Sequence, residues 1–277
     1  MIQDIFPSSF DNHFVPNQKP SEDDFILHYS ENALLLKAVE GGFELPRRKD
    51  FTHFPEASVA TYLFKLNGVA CFMAWGELVS EQPNLSYQDI ASYRTMSPSE
   101  VAWICLVGAH LLNWYTHNRF CGKCGSSMTH KQDERAMQCT ECGNVVYPRI
   151  SPAVIVAIRS GDSILLASNS SIPGRRYSLI AGFVDVGETL EEAVVREVKE
   201  EVGLDVQNIR YHTSQPWPVS GSLMVGFTAE ADQSHPIHVD TTELLEAAWF
   251  KRGALPNHSL PLSIAGDMIE KFENGLL

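Results

Sequence analysis

Residues 182–204 read GFVDVGETLEEAVVREVKEEVGL, and the second half of this stretch has the period of a helix. Leu190, Val194, Val198 and Val202 recur every four residues, which predicts a helix over 189–202 with one apolar ridge. Away from the ridge, Glu197, Glu200 and Glu201 stand at i, i+3 and i+4, so their carboxylates gather on one face within reach of a common point. Like charges at that spacing cost about 0.2–0.5 kcal/mol per pair on a solvated helix, and more when partly buried. Mg²⁺ or Mn²⁺, which prefer hard carboxylate oxygens, would turn the repulsion into binding and give a phosphate a cation to approach. Taken alone, the same glutamates also suit an ordinary solvated face. The glycines shift the balance. Gly182 and Gly187 before the helix and Gly203 after it predict an entry loop of unusual backbone geometry and a glycine C-cap.

The stretch satisfies the pattern G-x5-E-x7-R-E-U-x-E-E-x-G-U, with U aliphatic, at Gly182, Glu188, Arg196, Glu197, Val198, Glu200, Glu201, Gly203 and Leu204. It therefore resembles the Nudix box. That resemblance implies an α/β/α sandwich and Mg²⁺- or Mn²⁺-dependent hydrolysis of a nucleoside diphosphate linked to another moiety. It makes Glu197, Glu200 and Glu201 metal ligands or metal-site bases, with Glu200 or Glu201 taking a proton from the attacking water. Arg196 would orient Glu188 through an ion pair, and Ala181 would lend its backbone carbonyl to a metal.

Upstream, Cys121, Cys124, Cys139 and Cys142 form C-x2-C-x14-C-x2-C, two knuckles whose thiolates can close a tetrahedron around Zn²⁺. Each knuckle ends in a glycine, Gly125 or Gly143, where a left-handed backbone comes easily. A redox or disulfide role is the alternative. With four protein ligands no coordination position stays open, so this metal would be structural. Cys71 and Cys105 lie among apolar neighbours and read as buried thiols.

The spacing of elements predicts three parts: an N-terminal α+β domain over 1–118, a ribbon over 119–149, and a sandwich over 150–277. The first thirty residues are polar and read as a loose lead-in. Asn67-Gly68 between TYLFKL and VACFMAW signals a hairpin. At Ser97-Pro98-Ser99-Glu100 an N-cap, a first-turn proline and a capping-box glutamate predict a helix running to about His117. From Ser151, PAVIVAIRS, SILLAS, NIRYHT, SLMVGFTAE and AAWF predict strands, and 263–274 a closing helix. The fold class is α/β in the broad sense (α+β).

Downstream of the box lies SQPWPVSGSLM, where two prolines hold Trp217 extended and able to pack on a planar ring. Alone it reads equally as a turn around a core tryptophan. After a Nudix box, it resembles the SQPWPFPxSLM signature of the NADH pyrophosphatases, which join an N-terminal domain, a four-cysteine ribbon and a Nudix domain in this order. Those enzymes cleave NAD(H) to nicotinamide mononucleotide and AMP, bacterial ones also remove NAD caps from RNA, and they are homodimers. The resemblance places substrate contacts on Glu134, Tyr147, Gln215, Pro216, Trp217, Pro218, Val219, Ser220, Gly221, Ser222 and Ala265, with Phe183 as a stacking partner. A further metal ligand falls on Glu243. Tyr147 and Phe183 equally suit core aromatics, and Glu243 a helix surface. Val219 and Ser220 depart from the Phe-Pro of the signature, which bears on substrate preference rather than on the metal chemistry.

A net charge of −13 argues against broad nucleic-acid binding, so any polyanion contact is expected to be local. No apolar run reaches the length of a membrane span. MIQDIFPSSFDNHF lacks the basic start and apolar stretch of a secretory signal, so the expected address is cytoplasmic. Two alternatives remain at this level: a Nudix hydrolase for ADP-ribose or dinucleoside polyphosphates, and a non-enzymatic zinc-ribbon nucleic-acid binder or nucleotide sensor.

Overall fold

Short β-rich runs broken by tight turns shape the first of two units, Ile2–Arg149, in a computed structural model that describes residues 1–54, 60–169 and 176–277. Its strands are β1 (Phe10–Asp11), β2 (Phe25–Leu27), β3 (Tyr29–Ser30), β4 (Ala33–Val39), β5 (Gly42–Glu44), β6 (Ala60–Leu66), β7 (Val69–Ala74) and β8 (Leu85–Asp89). One sheet runs β1-β6-β7-β2, and a second runs β3-β4-β5 with β8 on the edge of β4. Asn67 (φ 52°) and Gly68 (φ 77°) join β6 to β7 in the expected two-residue turn. The first thirty residues are more than a loose lead-in. Ile2, Ile5, Ile26 and Leu27 are buried, and apolar side chains spaced among polar ones suffice to dock three short strands.

Helix α1 (Ser99–His117) ends where expected but begins differently. Pro98 itself is the N-cap, with its carbonyl accepting from the Val101 N–H at 3.1 Å, and no side chain caps the turn. Proline has no N–H, so it fits where the helix needs only a carbonyl, and the box expected from Ser97 and Glu100 does not form. Val101 to Leu106 are all buried, including Cys105, so the first turns are enclosed on every side. The unit closes with β9 (Met128–His130), β10 (Met137–Cys139) and β11 (Val145–Val146), an antiparallel ribbon.

The second unit comprises Ile150–Leu277 with Met1. It contains β12 (Ser151–Ser160), β13 (Ser163–Asn169), β14 (Ile180–Phe183), α2 (Leu190–Val202), β15 (Gln207–Trp217), β16 (Ser222–Glu230), β17 (Leu244–Lys251) and α3 (Ile264–Glu273). The mixed sheet runs β15-β16-β12-β13-β17, and β14 pairs with β12.

The continuous apolar run of β12 follows from burial on both faces. Val154, Val156 and Ile158 turn toward Val194, Val198 and Val202 of α2. Ile155 and Ala157, with Ile164 and Leu166 of β13, turn toward Ile264, Met268, Ile269 and Phe272 of α3. Each of these side chains larger than alanine contributes about 1.5–3 kcal/mol by leaving water, enough to hold a helix on each face. The result is the α/β/α sandwich that the box implies. β14 is a strand that periodicity missed, and it delivers the chain to the entrance of α2.

Candidate active site

The box folds as strand, loop and helix, and each segment has a local cause. Gly187 takes φ 97° in the loop, and Gly203 closes α2 in the left-handed region at φ 72°. Thr189 and Glu192 form a capping box: Thr189 Oγ1 accepts from the Glu192 N–H at 3.2 Å, and Glu192 Oε2 accepts from the Thr189 N–H at 2.7 Å. That signal was present in T-L-E-E. Gly182 does not have the unusual backbone expected of it. It lies in β14, and a Cβ there would fall 1.9 Å from Glu197 Cδ, so glycine leaves the space that the carboxylate fills.

Arg196 organises the acids. Its Nε and Nη2 donate to the two carboxylate oxygens of Glu188 at 3.0 and 2.6 Å, and Nη2 also donates to the Phe183 carbonyl at 2.9 Å. Nη1 donates to Glu197 Oε1 at 2.9 Å and to Glu200 Oε2 at 3.0 Å. All five guanidinium N–H groups are thereby used. Arg196, joined by the Asp185 N–H, holds the Glu188 carboxyl down at about 2. The expected Glu188–Arg196 ion pair is present, and the guanidinium also anchors two of the three clustered glutamates.

Those three do not share one environment. Glu197 and Glu201 are buried beside the ridge, whereas the Glu200 side chain is 58% exposed and turned to Arg196. Burial, reinforced by the charges of Glu197, Glu243, Asp240 and Glu200, pushes the Glu201 carboxyl up to about 8. Burial likewise raises Glu197, against the pull of Arg196. Among the described residues no cation pairs with Glu201. An all-oxygen donor set crowded with like charge, one member seated where a Cβ would otherwise lie, fits a divalent cation of the Mg²⁺ type. Glu243 is exposed just before β17, and its charge is felt at both buried glutamates. Asp240, which sequence reasoning missed, donates its N–H to the Glu201 carbonyl at 2.9 Å.

Ala181 sits on β14 opposite Ile155, and Phe183, at the end of that strand, is 57% exposed. Gln215, Pro216 and Trp217 close β15, Pro218 to Gly221 make the turn, and Ser222 opens β16. Trp217 is half-buried, Val219 is exposed, and Ser220 Oγ lies 2.9 Å from Ser222 Oγ. Gln215 is fully buried: its Nε2 donates to the Leu262 carbonyl at 3.1 Å and its Oε1 accepts from the Ile264 N–H at 2.6 Å. The amide therefore holds the first turn of α3, where Ala265 is buried. Glu134 and Tyr147 belong to the first unit, where Tyr147 Oη donates to Glu134 Oε1 at 2.9 Å.

The four sulfurs of Cys121, Cys124, Cys139 and Cys142 lie within 4.8 Å of one another. The Cys121–Cys142 and Cys124–Cys139 separations are 3.7 and 3.4 Å, close to the roughly 3.8 Å edge of a tetrahedron with 2.3 Å Zn–S bonds. Gly125 and Gly143 take the expected left-handed turns at φ 78° and 70°. The backbone N–H of Ser126, with its hydroxyl and the thiols of Cys139 and Cys142, draws the Cys124 thiol down to about 6, toward the thiolate that zinc requires. Among the described residues this is the one cluster of three or more His, Cys, Asp or Glu so tightly gathered.

Three family models match the chain in sequence. Residues 23–114 match the NADH pyrophosphatase-like rudimentary NUDIX domain, 117–147 the NADH pyrophosphatase zinc ribbon domain, and 149–271 the NUDIX domain. An NAD-capped RNA hydrolase NudC from Citrobacter koseri is 46% identical over 184 residues, covering 66% of this chain and 71% of the relative. One from Shigella dysenteriae is 45% identical over the same shares of each chain. Identity at this level, together with family models that cover both the cysteine ribbon and the box, shows that the chain belongs to the zinc-ribbon NADH pyrophosphatase family of the Nudix superfamily, which includes the NudC hydrolases.

Proposed function

We propose that this protein hydrolyses the pyrophosphate of NAD(H), releasing nicotinamide mononucleotide and AMP, and removes the NAD cap from RNA 5′ ends by the same cut. The observation that carries the reading is the buried Glu197–Glu201 pair on α2, in a chain with 46% identity to an NAD-capped RNA hydrolase. Glu197, Glu200, Glu201, Glu243 and the Ala181 carbonyl are the groups that would hold Mg²⁺ or Mn²⁺. When bound, such an ion offsets pyrophosphate charge and makes hydroxide accessible at neutral pH.

The remaining work falls to the chain itself. Arg196 keeps Glu188, Glu197 and Glu200 in one arrangement, so that the donor set is positioned before substrate arrives. Glu201 takes the water proton at a carboxylate oxygen, since Glu200 is already engaged by Arg196. Phe183 and Trp217 stack on the planar rings of the dinucleotide, and Ser220 and Ser222 offer hydroxyls to its polar edges. Pro216, Pro218, Val219 and Gly221 shape that wall, and Ala265, Glu134 and Tyr147 complete the contacts. Gln215 acts by holding the start of α3.

In this reading the chain divides into 1–118, 119–149 and 150–277, with structural Zn²⁺ in the ribbon and two copies forming a homodimer. No helix among the described residues is long and apolar enough to cross a membrane. The free cysteines suit a reducing, cytoplasmic setting.

Incubation with NADH and Mg²⁺ or Mn²⁺, with and without excess chelator, tests the reaction, and a failure to form AMP would sink it. Parallel digestion of NAD-capped and triphosphate RNA tests the cap reading, which requires selective release from the capped strand. Sedimentation tests the dimer.

A further inference from the structure

The first unit contains a cleft in which, Glu134 apart, the hydrolytic reading leaves every lining residue without a role. A cavity of about 420 Å³ is lined from β6, α1 and β9, and a second of about 530 Å³ shares its wall of Trp75, Tyr115 and His130. Both fall in the range of about 300–1,000 Å³ typical of small-ligand sites.

The shared wall is an aromatic platform. Tyr115 and His130 stack with centroids 4.9 Å apart and planes 9° from parallel, and Trp75 stands edge-on to Tyr115 at 6.4 Å and 90°. Trp75 Nε1 donates to Thr61 Oγ1 at 3.0 Å, which fixes the indole. Tyr115 is buried and His130 exposed, so the stack runs from the interior to the surface.

Charge in the cleft opposes that of the chain. Against a net charge of −13, its walls carry Lys19, Lys131, Arg135 and Arg119, with Glu134 the one carboxylate among its described lining residues. Glu134 is already engaged by Lys131 at 2.9 Å, and Lys131 also pairs with Asp133, so the cleft's cations without a carboxylate partner among the described residues are Lys19, Arg119 and Arg135.

Arg135 is the most telling of the cations. Its guanidinium donates to Asn12 Oδ1 at 2.7 Å, to the Asn12 carbonyl at 3.4 Å and to the Leu63 carbonyl, all neutral acceptors. Among the described residues no Asp or Glu pairs with it, and its Nε is buried without a hydrogen-bond partner. A desolvated cation lacking a counter-anion is costly, and a bound anion would relieve that cost.

We infer that this cleft binds a nucleoside phosphate, the base resting on the Tyr115–His130 rings beside Trp75 and the phosphate drawn to Lys19 and Arg135. Aromatic platforms with tracking cations are how proteins hold single-stranded nucleotides without reading their sequence. The same chemistry admits a free nucleotide or one unit of an RNA strand. The site rests on the first unit alone, and the residues that would hold base and phosphate are none of those the hydrolytic reading uses.

The test uses the full, zinc-loaded chain carrying Glu201→Gln to suppress turnover. Binding of a fluorescent, uncapped oligoadenylate is followed by anisotropy, and binding of 5′-AMP by calorimetry. Trp75→Ala is expected to weaken binding about tenfold, and Lys19→Ala or Arg119→Ala to lower the salt dependence of oligonucleotide binding by about 0.7 per cation removed. In the Glu201 parent, the same three substitutions leave kcat and KM for NADH within about twofold. Sensitivity with the oligonucleotide alone assigns the site to an RNA strand, and equal sensitivity with 5′-AMP assigns it to free nucleotide. Either supports the inference. Binding of both ligands indifferent to all three substitutions would overturn it, as would a rise in KM for NADH that tracks the loss of binding.

Discussion

Gly182→Ala isolates the geometry on which the proposed chemistry depends. The added Cβ would lie 1.9 Å from Glu197 Cδ and 2.0 and 2.2 Å from its two oxygens. Ordinary contact is about 3.5 Å, so the carboxylate must retreat by roughly 1.6 Å. Gly182 has no positive φ, so the backbone accepts alanine, and the atoms that must move are the flexible end of one side chain. Stability should therefore fall by no more than the roughly 1–3 kcal/mol of an overpacked site. Function should fall further. Misplacing a catalytic group by about 1 Å can cost about a hundredfold, equivalent to about 2.7 kcal/mol of transition-state stabilisation. Steady-state AMP release from NADH across a Mg²⁺ titration measures the loss, and circular dichroism checks the fold. On a Glu197→Ala background the same substitution should add little, because the group it displaces is gone. A folded Gly182→Ala enzyme with kcat/KM within threefold of the parent would show that the seat of the Glu197 carboxylate does not limit the reaction, as would full additivity with Glu197→Ala.

Three other outcomes follow from the structure. Cys71 and Cys105 are buried, and burial raises both thiols, Cys105 to about 12. An alkylating reagent at neutral pH should therefore reach only the ribbon cysteines, and only after chelation, and labelling of Cys71 or Cys105 in the folded protein would contradict this. The Glu201 carboxyl titrates near 8 when folded against 4.5 in the free side chain, so between these values the native state binds more protons than the unfolded one. In Mg²⁺-free buffer the Glu201 contribution to stability should then be full below 4.5 and fall away as pH rises to about 8, so that over this range the parent loses stability relative to Glu201→Gln; a parent-to-variant difference that does not change with pH would count against the crowding of carboxylates. Gln215→Ala removes the acceptor of the Ile264 N–H, so the denaturation midpoint should reflect a loss of about 1–3 kcal/mol, and an unchanged midpoint would remove Gln215 as the support of α3.

Much of this was legible because it is local. The ridge of α2, the Asn67-Gly68 turn and the two cysteine knuckles each depend on residues a few positions apart, and each appears where spacing put it. What escaped depends on tertiary partners. β14 is a short run interrupted by Gly182, and it becomes a strand because β12 offers it a ladder. Helical spacing placed Glu200 with Glu197 and Glu201, but Arg196 draws it outward toward solvent. Gln215 read as a substrate contact, and only the packing of α3 shows its amide committed inside the fold. Asp240 carries no pattern of its own, and the turn after β16 brings it to Glu201.

Hydrolysis of NADH in ¹⁸O-labelled water with Mg²⁺ or Mn²⁺, with products resolved by chromatography and mass spectrometry, reads out directly which bond the enzyme cuts. AMP and reduced nicotinamide mononucleotide are expected in equal amounts, one of the two phosphates carrying a single ¹⁸O, with loss of both products in Glu201→Gln. Intact NADH, or cleavage at the nicotinamide–ribose bond instead of the pyrophosphate, would contradict it.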